Sequence, residues 1–250
     1  MQPLLLLLAL LLPLGAGTEE IIGGHEAKPH SRPYMAFVQF LDKGKKKRCG
    51  GVLVHKYFVL TAAHCWGSSV KVTLGAHNIQ KQEKTQQVIP VKTGREKTVP
   101  PHPGVKAQRP LAELDSLASS HQLERKAQQT AAVRSLRLPG TKNRVRPGQV
   151  CGVAGWGRVS MSTSATTLQE ASLEVQRDPG EKGLAWVTLG RTAGASPSSL
   201  CPQGDSGGPL VCNNVVQGTF SYGKPDGTPP GVFMKVSHFL PWIKRTMKRL

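Results

Sequence analysis

The 250-residue chain is short of acidic residues, of aromatics and of metal-binding spacings. Fifteen Asp and Glu stand against 33 Lys and Arg, a formal net charge of +18. A surface of that sign attracts polyanions: sulfated glycosaminoglycans, anionic membranes or nucleic acid. Aromatic residues make up only 5% of the chain and do not interleave with the basic clusters. No RNA- or DNA-reading motif accompanies those clusters, so nucleic acid is not an expected partner. Neither a CxxC nor an HExxH spacing occurs, and no metal or other cofactor is expected. No N-x-S/T acceptor is present. Beyond the first twenty residues no segment is apolar for long enough to span a bilayer.

What is present begins with an apolar run over residues 4–12, followed by small residues. The run is too short for a membrane span and sits where the apolar region of a signal peptide belongs, although the usual positive charge before it is missing. Residues 1–18 are therefore expected to be a signal peptide and the chain to be secreted. Loss of residues 1–20 removes Glu19 and Glu20 and no base, raising the formal charge to +20. The basic clusters fall at 43–48, 92–97 and 244–249; solvated charge is the ordinary role of any one of them. The five cysteines, Cys49, Cys65, Cys151, Cys201 and Cys212, behind a signal peptide indicate disulfides with one thiol left over.

Short apolar runs at 35–40, 51–61, 70–74, 85–91, 149–154, 167–175, 209–216 and 231–236 are separated by charged or turn residues. Short strands at that spacing predict an all-β barrel or sandwich. The final SHFLPWIKRTMKRL changes period: Phe239, Trp242 or Ile243, and Met247 share one helical face with bases opposite, predicting a short terminal helix packed on the β structure. Residues 93–121 and 179–201 lack strand alternation and are dense in Ala, Gly, Pro and Ser. By composition they read as long loops, uncommon inside a compact domain.

The chemistry-bearing motifs are Leu-Thr-Ala-Ala-His64-Cys65 and Gly204-Asp205-Ser206-Gly207-Gly208-Pro209. A glycine-rich turn can present the Ser206 hydroxyl while the N–H groups of Gly204 and Ser206 converge on a developing oxyanion. Such donors are worth roughly 3–4 kcal/mol each. A serine hydroxyl needs a base to become a nucleophile at neutral pH, and histidine titrates in the required range.

IIGG, LTAAHC, GWG and GDSGGP, in that order, resemble the chymotrypsin-type (trypsin-like) serine proteases, and the text between them is similar to the granzyme subgroup. The resemblance covers roughly four fifths of the chain, about 1–92, 122–178 and 202–250. It implies two six-stranded antiparallel β-barrels with a short C-terminal helix and an active site in the cleft between barrels. It implies that His64 is the general base and Ser206 the nucleophile, with the oxyanion held at Gly204 and Ser206. Residues 19–20 would be an activation dipeptide and 21–250 the protease domain. The new ammonium of Ile21 would pair with Asp205 and form the oxyanion turn, a cleavage-driven switch. Cys49–Cys65 and Cys151–Cys212 would be disulfides, leaving Cys201 over, free or mispaired. Ser221-Tyr222-Gly223 would pair with substrate backbone as an added strand. Gly231 lies where relatives with an arginine receive aspartate, so it implies an open apolar slot for Phe, Tyr or Leu.

The third triad member sits in the family's N-D-[IL]-x-L-L strand, just before text like QLERKA. Here the flank is HQLERKA at 121–127, and the sequence before it offers Asp115, with Glu113 as substitute. Loss of that carboxylate costs about four powers of ten in turnover while leaving fold and nucleophile in place. Two functions follow. The first is a secreted monomeric endopeptidase acting on protein or peptide substrates, held on anionic proteoglycan in lymphocyte cytolytic granules and used in granule-mediated killing. The second is a catalytically impaired homologue whose cationic surface binds glycosaminoglycans or contacts anionic membrane peripherally.

Overall fold

The computed structural model describes residues 24–92, 118–140, 145–159, 163–176, 185–190, 206–223 and 231–248; for 118 and 185–190 it describes the backbone alone. The chain forms two antiparallel β units and one terminal helix. The first unit contains β2 (Met35–Asp42), β3 (Lys45–His55), β4 (Phe58–Ala62), β5 (Ser68–Leu74), β6 (Gln87–Pro90) and β7 (Ala118–Gln122). They pair in the order β6-β5-β2-β3-β4-β7, and an antiparallel bridge between Val91 and Leu123 joins the two ends of that series. The interior is aliphatic, with Val38, Leu53, Val59, Val72, Leu74 and Ile89 all withdrawn from solvent.

The second unit contains β8 (Val150–Gly155), β9 (Gln169–Gln176), β10 (Ala185–Gly190), β11 (Pro209–Cys212), β12 (Val215–Tyr222) and β13 (Gly231–Lys235). Its order is β9-β10-β13-β12-β11-β8, closed by pairing of β8 with β9; the two-residue β1 (His25–Glu26) is appended to β9. The strands earn their place by side-chain period. β9 alternates between fully and partly covered positions, one face on the core, whereas β12 sits between two neighbours and is buried over all but its last residue. Phe220 and Phe233, directly paired across β12 and β13, meet edge to face at 5.2 Å.

A third apolar cluster lies where the two units meet, including Phe37, Leu60, Trp156, Val216, Phe239 and Ile243. Trp156 packs edge-on against Phe37 and donates its indole N–H to the His77 carbonyl at 2.9 Å. The terminal helix α1 (Val236–Met247) inserts Val236, Phe239, Ile243 and Thr246 into this junction. Of the two alternatives at the second apolar position, Ile243 is buried and Trp242 only partly so. Lys244 and Arg245 occupy the last turn, where cations meet the negative end of the helix dipole.

The structure departs from the strand pattern expected of the sequence in four places. Residues 51–61 are not one strand but the β3–β4 hairpin. Residues 209–216 run through the β11–β12 hairpin, whose turn holds Asn213 and Asn214 at φ 52° and 58°, the left-handed conformations asparagine tolerates. The stretch ending at 121 closes with β7, and the stretch 179–201 contains β10, where composition predicts loops. Each is held by its neighbours rather than by its own pattern: β7 pairs with β4 over five residues, and β10 lies between β9 and β13.

Candidate active site

His64 follows directly on β4, in a turn where the Cys65 N–H donates to the Ala62 carbonyl at 3.1 Å. This turn leaves His64 exposed while Ala63 and Cys65 on either side are buried. Cys65 is bonded to Cys49 on β3, closing a 16-residue separation; a loop of that length is worth about 3 kcal/mol. The second disulfide, Cys151–Cys212, spans 61 residues and joins β8 to β11 in the other unit. The expected pairings are thus both present. Ring nitrogen and sulfur atoms of Cys49, His64 and Cys65 lie within 4.8 Å of one another. Both sulfurs are spent in the disulfide, so the cluster offers a metal no thiolate.

Ser206 opens the turn before β11 and is held against the His64 side by backbone contacts. The Gly50 N–H donates to its carbonyl at 2.9 Å, and the Cys65 sulfur lies 3.5 Å from the same oxygen. One half-cystine therefore lies near both the imidazole and the serine's backbone. Gly207, at φ 84°, sits so close to the first unit that a Cβ would lie 2.6 Å from the Gly50 carbonyl and 2.7 Å from the Ala62 nitrogen, with Thr61 Oγ1 nearer still. Thr61 Oγ1 itself donates to the Gly50 carbonyl at 2.7 Å. Only glycine meets both the positive φ and the close approach.

The same turn is tied to the second unit. Gly207 N–H donates to the Phe220 carbonyl at 2.8 Å, and Phe220 N–H returns a bond to Gly208 at 2.7 Å. Phe220 is followed at once by Ser221, Tyr222 and Gly223. Ser221 is buried, Tyr222 is 41% exposed, and Tyr222 pairs across to Val232, next to Gly231. Gly231 begins β13 and is buried. The residues assigned to base, nucleophile and substrate strand are thus brought to one junction. Gly204, Asp205, Ile21, Asp115, Glu113 and Cys201 lie outside the described residues. The segment after Ile21 is fastened to β9: Ala27 N–H bonds the Leu168 carbonyl, and Arg32 Nε donates to Glu170 at 2.7 Å.

One residue outside the motifs packs against the His64 turn. β7 reads Ala-Ser-Ser-His-Gln, with Ser120 and His121 where the family pattern has its leucine pair. His121 is fully buried; its Nε2 donates to the Cys65 carbonyl at 3.0 Å and its ring stacks on Trp66 at 5.3 Å. Burial pushes its pKa down to about 4, with the carbonyl bond opposing only in part, so the ring is neutral at pH 7. Its only legible signal was polarity in place of leucine beside an otherwise intact flank. Ser119 Oγ, Ser120 Oγ and His121 Nδ1 are buried with no hydrogen-bond partner among the described residues.

Comparison with known proteins accords with this geometry. The family model described as Trypsin matches residues 21–243. The chain is 61% identical to granzyme H of Homo sapiens over 260 residues, covering all of both chains. The solved "Structure of GrC" superposes with a TM-score of 0.79 at 44% identity, covering 91% of this chain and 100% of that one. Human heparin binding protein superposes at 0.77 with 28% identity, over 92% and 98% respectively. No helix among the described residues is long and apolar enough to cross a membrane. From the Ser206 turn, the cystine beside His64 and these likenesses together, the chain belongs to the trypsin family of serine endopeptidases, as a granzyme-like protease acting on protein substrates.

Proposed function

We propose that the mature chain, residues 21–250, cleaves peptide bonds through an acyl-enzyme on Ser206, with His64 as base and then acid. The observation that carries this reading is the docking of the Ser206–Gly208 turn. It bonds Gly50 beside the His64 cystine on one side and Phe220 beside the substrate strand on the other. That arrangement supplies the nucleophile, its base and an extended substrate at a single junction, the geometry acyl transfer requires. The N–H groups of Gly204 and Ser206 hold the oxyanion, the Ile21 ammonium pairs with Asp205 after residues 1–18 and then 19–20 are removed, and Asp115 orients the imidazole. The family match beginning at residue 21 supports that start. Ser221, Tyr222 and Gly223 take the substrate backbone, and Gly231 leaves room for a bulky apolar side chain such as Phe, Tyr or Leu. The protease is secreted as a monomer into cytolytic granules, rests there on anionic proteoglycan, and serves granule-mediated killing.

A second reading is favoured by charge and by the likeness to human heparin binding protein: a homologue of low activity that binds sulfated polysaccharide or an anionic membrane. The β2–β3 hairpin supports it. Lys45, Lys46 and Lys47 are exposed at its tip, and Asp42, its one acid, is already paired with Lys47. A fluorophosphonate label on the mature chain separates the two readings, because only a primed serine reacts quickly. Rapid labelling that disappears in Ser206→Ala and falls at least a hundredfold in His64→Ala is expected. A folded protein that stays unlabelled yet is retained on heparin at physiological salt would sink the first reading in favour of the second.

A further inference from the structure

We infer that His121 is a positioning residue for the base, and that it takes over through the backbone part of the work of holding the His64 turn. The inference rests on the reading of His64 as that base. His121 grips the two residues that immediately follow His64: its Nε2–H donates to the Cys65 carbonyl, and its ring lies against Trp66, 24° from parallel. A carbonyl can only accept, so the ring is the Nε2–H tautomer and Nδ1 carries the lone pair. Val59 stands across from His121 on β4, the strand that delivers the turn. Among the described residues, burial is what holds the ring neutral, and the Cys65 carbonyl bond opposes it. Nε2–H is a donor in the neutral ring and in the cation alike, so the bond to the Cys65 carbonyl persists across the neutral range.

The consequence is mechanical. The Cys65 carbonyl belongs to the turn that exposes His64 and is buried, and a buried carbonyl without a donor would swing to find one. A shift of even 1 Å in a base can cost on the order of a hundredfold in rate. The cystine fixes the side chain of Cys65, Trp66 is stacked, and His121 fixes the peptide between them. Three restraints thus converge on the residues after His64, and β7 supplies two of them from a single side chain.

The test uses the mature chain with kcat and KM on a peptide ester ending in Phe, normalised to sites titrated by fluorophosphonate. His121→Leu is expected to lower kcat per titrated site about tenfold at unchanged KM and to displace the His64 limb of the kcat/KM pH profile. His121→Gln, whose amide N–H can reach the same carbonyl, should regain most of the loss. Unchanged kcat per titrated site in His121→Leu, with only the melting temperature lowered, would overturn the assignment and leave the residue purely structural. Should His121→Leu not fold, Trp66→Leu removes the stack alone; it should move the same pH limb, and an unmoved limb counts against the inference. If the wild type does not label at all, the proposed function fails first. The His64 ring signals in NMR then decide on His121: a changed titration in His121→Gln or Trp66→Leu supports it, and identical curves refute it.

Discussion

Gly207 is the residue at which one added methyl would be felt on three sides. Its φ of 84° disfavours every L side chain, and the space a Cβ would need is held by Thr61, the Gly50 carbonyl and the Ala62 nitrogen. None of these is the free end of a flexible chain. Gly207→Ala is therefore expected to cost about 3 kcal/mol or more, from the left-handed backbone and the overpacking together. The cost should appear as a lower urea midpoint, with slower labelling of Ser206 in whatever fraction still folds. Equal midpoints for mutant and parent would mean that the turn does not press on β4 as described. The residues with the plainest sequence signal, His64 and Ser206, owe their proximity to ones with hardly any: Gly50, Thr61 and His121 were silent because their roles arise only when β3, β4 and β7 are brought beside the Ser206 turn.

At the scale of the element, β7 is the outlier. Its neighbour β4 contributes Val59 and Leu60 to two apolar cores, and β7 answers them with His121 and Ser120. A buried hydroxyl without a partner costs roughly 1–3 kcal/mol. Ser120→Val, which removes that hydroxyl and adds a β-branched side chain beside Leu60, is expected to raise stability by about 1–2 kcal/mol, read as a higher melting temperature. A lower one would show that the hydroxyl does have a partner. The same element explains how much of the fold could be read in advance. β9 and β5 announce themselves by alternation. The first half of β3 is Lys-Lys-Lys-Arg and is a strand because β2 pairs with it residue for residue, from Asp42–Lys45 to Met35–Val52. β7 and β10 are strands because of the edges they complete, information that lies in other parts of the chain. The hairpins β3–β4 and β11–β12 merged in the reading because apolar residues continue on both sides of each turn.

For the molecule as a whole, His121 couples protonation to folding. Its pKa falls from an ordinary 6.5 to about 4 in the fold. Between those values the unfolded chain binds a proton that the folded one refuses. Stability is thus full above pH 6.5 and declines as pH drops toward 4, by about 3 kcal/mol in total. Urea midpoints taken from pH 7 to pH 4 should show this loss, and His121→Leu should flatten that part of the curve; identical slopes in the two proteins would exclude the coupling. The high positive charge acts in the same direction, since further protonation only adds repulsion to a chain already at +18.

The cystine beside His64 also has a temporal meaning. Cys49 is 3% exposed and Cys65 not at all, so a thiolate cannot reach either sulfur by approaching the folded surface. Reduction has to wait until the first barrel breathes open between β3 and the turn after β4. In a reducing compartment the bond would then survive longer than an exposed one, because every attack needs a prior opening. The lifetime of the Ser206 turn's covalent backing is written into the packing of one barrel, whose strand β7 buries Ser119, Ser120 and His121 where aliphatic side chains would pack.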